Sequence, residues 1–264
     1  MKEKSKKSKR EIIGVTLVII GLLLVLVYTI FMIISLNNKH KGEDLLDNVI
    51  VDEDDRYVYV SEDFIKKLRE LFKNEDIVGY IVFKDADISY PIVQGKNNDE
   101  YLRRDISGNY SIGGSIMLDC TRARDFSNLS SVLYGHHMHD GSMFGKLEGS
   151  VKDLSKMSSV YVYTEKERLE YKGVSQEILN PYIDDIMYLF TEEKEDFYNY
   201  INKIAYDGSL NVKQDSKYLT LITCHYTGIR SKVMRYGLTC EYKEAKKYKV
   251  REEKNKNENY IQTR

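Results

Sequence analysis

The sequence predicts a mainly β domain, a barrel or a sandwich, carried behind a single N-terminal membrane helix. Three observations carry this expectation. Residues 12–36 contain no charged side chain and are almost all Ile, Leu, Val, Phe, Met or Gly. Between residues 78 and 242, short runs rich in β-branched and aromatic residues recur. Turn residues such as Gly95, Asn97, Asn98, Asp105 and Gly108 separate them, a spacing that favours a barrel or sandwich over a parallel α/β sheet.

The N-terminal run comes first. About 20 apolar residues cross a bilayer at about 1.5 Å of rise each, and residues 12–36 meet that length. Residues 2–10 are mostly basic, which by the positive-inside rule keeps the N-terminus in the cytoplasm. A cleaved signal peptide is the alternative, but its apolar core runs to about 7–15 residues and ends in small residues. Ser35-Leu-Asn-Asn-Lys-His fits that ending poorly. The expected organisation is therefore a cytoplasmic tail over 1–11, a transmembrane anchor over 12–36 and a polar stalk over 37–55. An extracellular catalytic domain over 56–245 and a charged tail over 246–264 follow.

The net charge of −1 gives no reason to expect a nucleic-acid partner, since acidic and basic residues are interspersed outside the N-terminus. Three cysteines, an odd number, cannot all pair within the chain, so a working thiol is available. No internal repeat, Gly-rich phosphate loop or paired-cysteine zinc spacing is present in the sequence.

Along the outward part, residues 61–72 predict a helix, opening on Ser61 and Asp63 and repeating Phe64, Ile65, Leu68, Leu71 and Phe72 at helical spacing. Strands are expected over 78–83, 88–93, 114–118, 131–134 and 160–163. A second helix is expected over 191–205, with Phe197, Tyr198, Ile201 and Ile204 forming its apolar stripe. The last two strands are expected over 218–224 and 232–242. Beyond them, the almost wholly charged remainder reads as a frayed tail.

Cys224 ends the run Tyr218-Leu-Thr-Leu-Ile-Thr-Cys224. A buried structural thiol is the bland reading. Its position at a strand's end, beside a polar loop, is instead where nucleophiles sit. Of the five histidines, four are His136, His137, His139 and His225. His225 follows Cys224 directly and so points to the other face if the strand continues. Gly135 before His136 permits close backbone approach, and Asp140-Gly141 makes a turn after it. His136 is thus the better candidate for acid–base work. A metal site built from His136, His137 and His139 with Cys120 or Asp140 is the alternative for that cluster. Arg230 and Arg235 could each hydrogen-bond an oxyanion. Arg235 falls inside a strand, on a face shared with Val233, Gly237 and Thr239, whereas Arg230 falls in the preceding loop.

Taken together, Thr220-Leu-Ile-Thr-Cys224 resembles the TLxTC signature of sortases, and Tyr134-Gly-His136 resembles their catalytic histidine segment. The resemblance covers roughly residues 61–242. Asp76-Ile-Val-Gly-Tyr-Ile, Ile88-Ser-Tyr-Pro-Ile-Val-Gln94, Asn98-Asp-Glu-Tyr-Leu102 and His137-Met-His-Asp-Gly-Ser-Met-Phe144 are similar to class B members in particular. So is the long helix before the last two strands. The resemblance implies a closed eight-stranded β-barrel with flanking helices, on a membrane-anchored cysteine transpeptidase. It further implies that Cys224 attacks a surface protein's C-terminal sorting motif, of an Asn/Ser-Pro-x-Thr-Gly/Asn type, after its Thr. A cell-wall peptide amine, from a peptidoglycan precursor, then resolves the thioacyl enzyme. His136 would move protons and Arg235 would steady the substrate oxygen, with no cofactor and no calcium requirement. His137 departs from the pattern, because many class B members carry Asn there.

Two rival readings differ in what they predict. A Cys–His hydrolase would share the thioacyl intermediate and release it to water. A non-enzymatic, membrane-tethered binding or sensor module would leave Cys224 inaccessible to a thiol reagent.

Overall fold

The computed structural model describes residues 2–180, 184–204, 216–226 and 233–251. The chain divides into two compact units, Met1–Lys41 and Gly42–Arg264. The described residues of the first unit lie within helix α1, Lys2–Val49. Its segment Lys9–Ile30 has a mean hydropathy of 2.8, and none of it is buried by protein. That segment is long and apolar enough to cross a membrane.

In the second unit, α1 continues to Val49 and is followed by β1 (Ile50–Glu53) and β2 (Tyr57–Val60). Residues 37–55, expected as a polar stalk, fall within α1, β1 and the turn after it. Leu46 and Val49 are buried with Phe64, Ile65 and Leu68 of helix α2, Phe64–Phe72. Those contacts supply the apolar partners that the polar composition hid. Helix α2 starts later than Ser61 because the Asp63 side chain is the cap, accepting the Lys66 N–H at 2.9 Å.

Eight strands then close a barrel. They are β3 (Ile77–Phe83), β4 (Ile88–Val93), β5 (Ile116–Leu118), β6 (Ser130–Tyr134), β7 (Val160–Tyr163), β8 (Glu167–Leu179), β9 (Tyr218–Tyr226) and β10 (Val233–Val250). Their neighbour order is β10-β8-β7-β3-β4-β5-β6-β9, and β9 pairs with β10 to shut the ring. Strands β1 and β2 lie outside it, joined through the parallel pairing of β2 with the far end of β10. The closed eight-stranded barrel with flanking helices is the fold that the resemblance implied. Helix α3, Lys194–Ile204, packs Phe197, Tyr198 and Ile201 against Val132 of β6 and Tyr218 and Ile222 of β9. The last expected residue of that helix, Ala205, lies outside the described residues.

Alternation sorts side chains between the barrel interior and its outer faces. On β9, Leu219 and Leu221 point inward, as do Tyr236, Leu238 and Cys240 of β10. Tyr218 and Ile222 point outward beneath α3. Residues 243–250, expected in a tail, extend β10 instead. Tyr242 and Ala245, on either side of a register shift, pack against the interior cluster, while Lys243, Glu244, Lys247 and Lys249 are exposed. Strand β8, which was not among the expected strands, is interrupted by register shifts opposite Thr239/Cys240 and Tyr242/Glu244.

A buried cation pins the outer strands to the barrel. Arg168 of β8 is 6% exposed and donates through both terminal nitrogens to Glu53 of β1, each at 2.6 Å. Lys246 of β10 donates to the same carboxylate at 2.7 Å. The hydrogen bonds from Arg168 hold the Glu53 carboxyl below its ordinary 4.5, outweighing the burial that raises it, and Lys246 adds to the effect. A carboxyl lowered in this way stabilises the fold above its unfolded pKa, and loses that contribution as pH falls through the folded value. Glu53→Gln is expected to lower the unfolding free energy at neutral pH by about 1–3 kcal/mol, towards the smaller end because Glu53 is partly solvated. Urea titrations of the two proteins should converge as the pH is taken well below 4 on the carboxylate scale, about the unperturbed Asp–Glu range.

Candidate active site

The antiparallel ladder between β9 and β10 sets Cys224 directly opposite Arg235. Residues so paired share a face, with Cβ atoms about 4.5–5.5 Å apart. Both side chains are half-buried, on the outer face and at the end of the barrel where β9 finishes and β10 begins. Since β9 continues to Tyr226, His225 falls on the opposite face across from Met234, and its Nδ1 lies 2.8 Å from Glu148 Oε1. Arg230 lies outside the described residues.

On the other flank, β6 runs parallel to β9, with Tyr134 aligned to Ile222. The Gly135 N–H still donates to the Ile222 carbonyl at 3.1 Å, after which the chain leaves the sheet. Glycine is needed at that corner, because a Cβ there would lie 2.6 Å from the Phe144 ring and 2.7 Å from Ile116. His136 follows this corner outside the strand, so its own contacts, and not strand alternation, place it. Its Nε2 is 3.0 Å from the Leu102 carbonyl. A carbonyl only accepts, so Nε2 holds a proton there. Nδ1 has no bonding partner among the described residues. The neighbouring His137 sends Nδ1 to the Cys224 carbonyl at 2.9 Å, and His139 is exposed.

Sequence reasoning missed the groups that hold this histidine segment. The Leu102 carbonyl is backed by Gly114 at φ +57°, where a Cβ would come within 2.6 Å of Leu102 O. The loop bearing Leu102 is fixed by Asp119, which is 3% exposed. Asp119 accepts from Asn98 at 2.7 Å, Tyr134 OH at 3.0 Å, and the Thr121 hydroxyl and N–H at 2.6 and 2.9 Å. Burial alone would raise its carboxyl, but those donors, Thr121 foremost, bring it below the usual value. Asp119 therefore ties β6, which delivers His136, to the loop that orients it. Its only sequence signal was a carboxylate directly following the apolar triplet of β5.

Among the described residues, no three His, Cys, Asp or Glu side chains converge as metal ligands. The three cysteines differ in environment. Cys240 is fully buried, and burial pushes its thiol up, whereas Cys120 and Cys224 are partly exposed.

A thiol near a strand end, faced across the ladder by a guanidinium and bonded through its carbonyl to an imidazole, offers the groups that thiol acyl transfer uses. The chain belongs to the sortase family: the profile described as Sortase domain matches residues 81–243. Its relatives place it in class B. It is 32% identical to the sortase B of Listeria monocytogenes over 222 residues, 80% of this chain and 88% of that protein. A crystal structure of Bacillus anthracis sortase B, in complex with AAEK1, aligns with TM-score 0.60 at 25% identity. It covers 78% of this chain and 96% of the other. The Staphylococcus aureus sortase B–substrate complex shares the fold, with TM-score 0.59 at 23% identity, over 69% and 85% of the two chains. The protein is accordingly a cysteine transpeptidase of the sortase type.

Brief alkylation of the native protein, followed by peptide mass mapping, should modify Cys224 and Cys120 and spare Cys240. Only unfolding should open Cys240, because the thiolate is the reacting form and burial suppresses it. Modification of Cys240 in the native state would contradict the inward register of β10.

Proposed function

We propose that Cys224 is the nucleophile, His136 the general acid and base, and Arg235 the oxyanion donor of this transpeptidase. The register that sets Cys224 against Arg235 carries the reading. The substrate is a surface protein with a C-terminal sorting motif of the Asn/Ser-Pro-x-Thr-Gly/Asn type. The Cys224 sulfur attacks the Thr carbonyl, and Arg235 donates hydrogen bonds to the oxygen as it gains negative charge. Collapse of the tetrahedral species breaks the C–N bond, and His136 gives its proton to the departing amine. A peptidoglycan-precursor amine then attacks the thioester, passes a proton to His136, and expels the Cys224 thiolate as the new amide forms. The bond from Nε2 to Leu102 leaves Nδ1 as the nitrogen that exchanges protons.

The reading includes location. Segment Lys9–Ile30 serves as a single-pass anchor, with the basic N-terminus inside and the barrel outside the cell. The catalytic groups all come from the second unit, so the anchor supplies place and not chemistry.

The test is a peptide-cleavage assay on substitution variants. Cys224→Ala is expected to abolish turnover with the fold intact, and His136→Ala to cost about 10²–10⁴-fold. Arg235→Ala should cost roughly 10²–10³-fold. Arg235→Lys should recover only part, because an ammonium lacks the planar fork. Turnover by Cys224→Ala would end the nucleophile assignment. A silent Arg235→Ala beside a dead Arg230→Ala would move the oxyanion role to Arg230.

A further inference from the structure

We propose that His137 is a positioning residue, whose imidazole completes the β6–β9 ladder at the nucleophile; this rests on Cys224 being the nucleophile. The parallel ladder runs from Ser130 opposite Tyr218 to Tyr134 opposite Ile222. Alternate carbonyls of β9 face β6. Ile222 O does so, accepting from Gly135 N, and by the same parity Cys224 O faces that side as well. No backbone N–H of β6 reaches it, because the chain bends away after Gly135. Phe144 N instead bonds back to His136 O at 3.0 Å, and His137 bridges Met143. An unmet carbonyl at this half-buried edge would be costly, because the desolvated oxygen would have no donor. The His137 Nδ1–H, at 2.9 Å from Cys224 O, fills the vacant rung.

The consequence is geometric. His137 adjoins His136 and grips the backbone of Cys224, so one bond sets the spacing between the proposed acid–base group and the sulfur. Misplacement by about 1 Å can cost about 10²-fold in rate. The role also has a chemical signature. His Nδ1 and Asn Nδ2 stand the same number of bonds from Cα, whereas Gln places its amide nitrogen one bond further out. Asn can therefore occupy the rung and Gln cannot, although Gln is closer to His in size.

The experiment uses the full chain, purified in detergent, with a fluorogenic peptide of the Asn-Pro-x-Thr-Gly type. His137→Ala is expected to lower kcat by about 10–100-fold with little change in KM. His137→Asn should restore most of kcat, and His137→Gln should stay near the Ala variant. A His137→Ala enzyme with normal kcat, a loss confined to KM, or Gln rescuing as well as Asn would each overturn the proposal. If the Ala variant fails to fold, the Asn–Gln contrast decides alone. Cys224→Ala in the same assay separates the two readings. If it still cleaves peptide, both fall; if it is dead while His137→Ala is normal, only the positioning role falls.

Discussion

The register between β9 and β10 is the constraint on which the rest depends. It closes the barrel, and it decides which residues meet at the open end. Because strand side chains alternate, a slip of one residue would exchange the inner and outer sets completely. Leu219, Leu221, Leu238 and Cys240 fill the interior while Tyr218 and Ile222 fill the layer beneath α3, so either slip would expose both sets. Thr220 and Thr239 add a buried hydroxyl pair at 3.1 Å on the outer side. The apolar core thereby fixes, several residues away, the alignment of Cys224 with Arg235.

The histidine side is held by different physics. Strand β6 ends before the site, so regular backbone pairing cannot place the imidazole. A polar network replaces it, with Asp119 at its centre and the Leu102 carbonyl at its tip. Such a network holds geometry only when every buried member is bonded, and Asp119 meets that condition with four donors. Gly135 and Gly114 permit the close approaches that the network needs.

Much of this was legible in the chain. Strands β4 and β7 have the bounds that their apolar runs predicted, and β9 starts where expected, at Tyr218, but runs two residues past Cys224 to Tyr226. Strand β8 was not among the expected strands: Leu169 and Tyr171 do alternate with Arg168, Glu170 and Lys172, but the run is short and two bulges break the period beyond it. The continuation of β10 to Val250 was hidden for a related reason. Lys246 bonds to Glu53, 193 positions away, and Lys249 lies over the Tyr57 ring, partners that no local pattern announces. The support of the site was least legible of all, because it consists of backbone carbonyls. Leu102 O and Cys224 O act through main-chain atoms that any residue carries, and their partners stand 34 and 87 positions away.

That choice of holder bears on the chemistry. In a Ser-His-Asp arrangement, a buried carboxylate orients the imidazole and also stabilises its protonated form. Here a neutral carbonyl, that of Leu102, accepts from His136 Nε2, so no carboxylate touches the ring at that nitrogen. In the proposed reaction the same imidazole would release a proton to the leaving amine and take one from the incoming amine. Asp119, the buried carboxylate of the network, is kept from that role because its oxygens are occupied by Thr121, Asn98 and Tyr134. The carboxylate stiffens the frame, and the carbonyl touches the working ring.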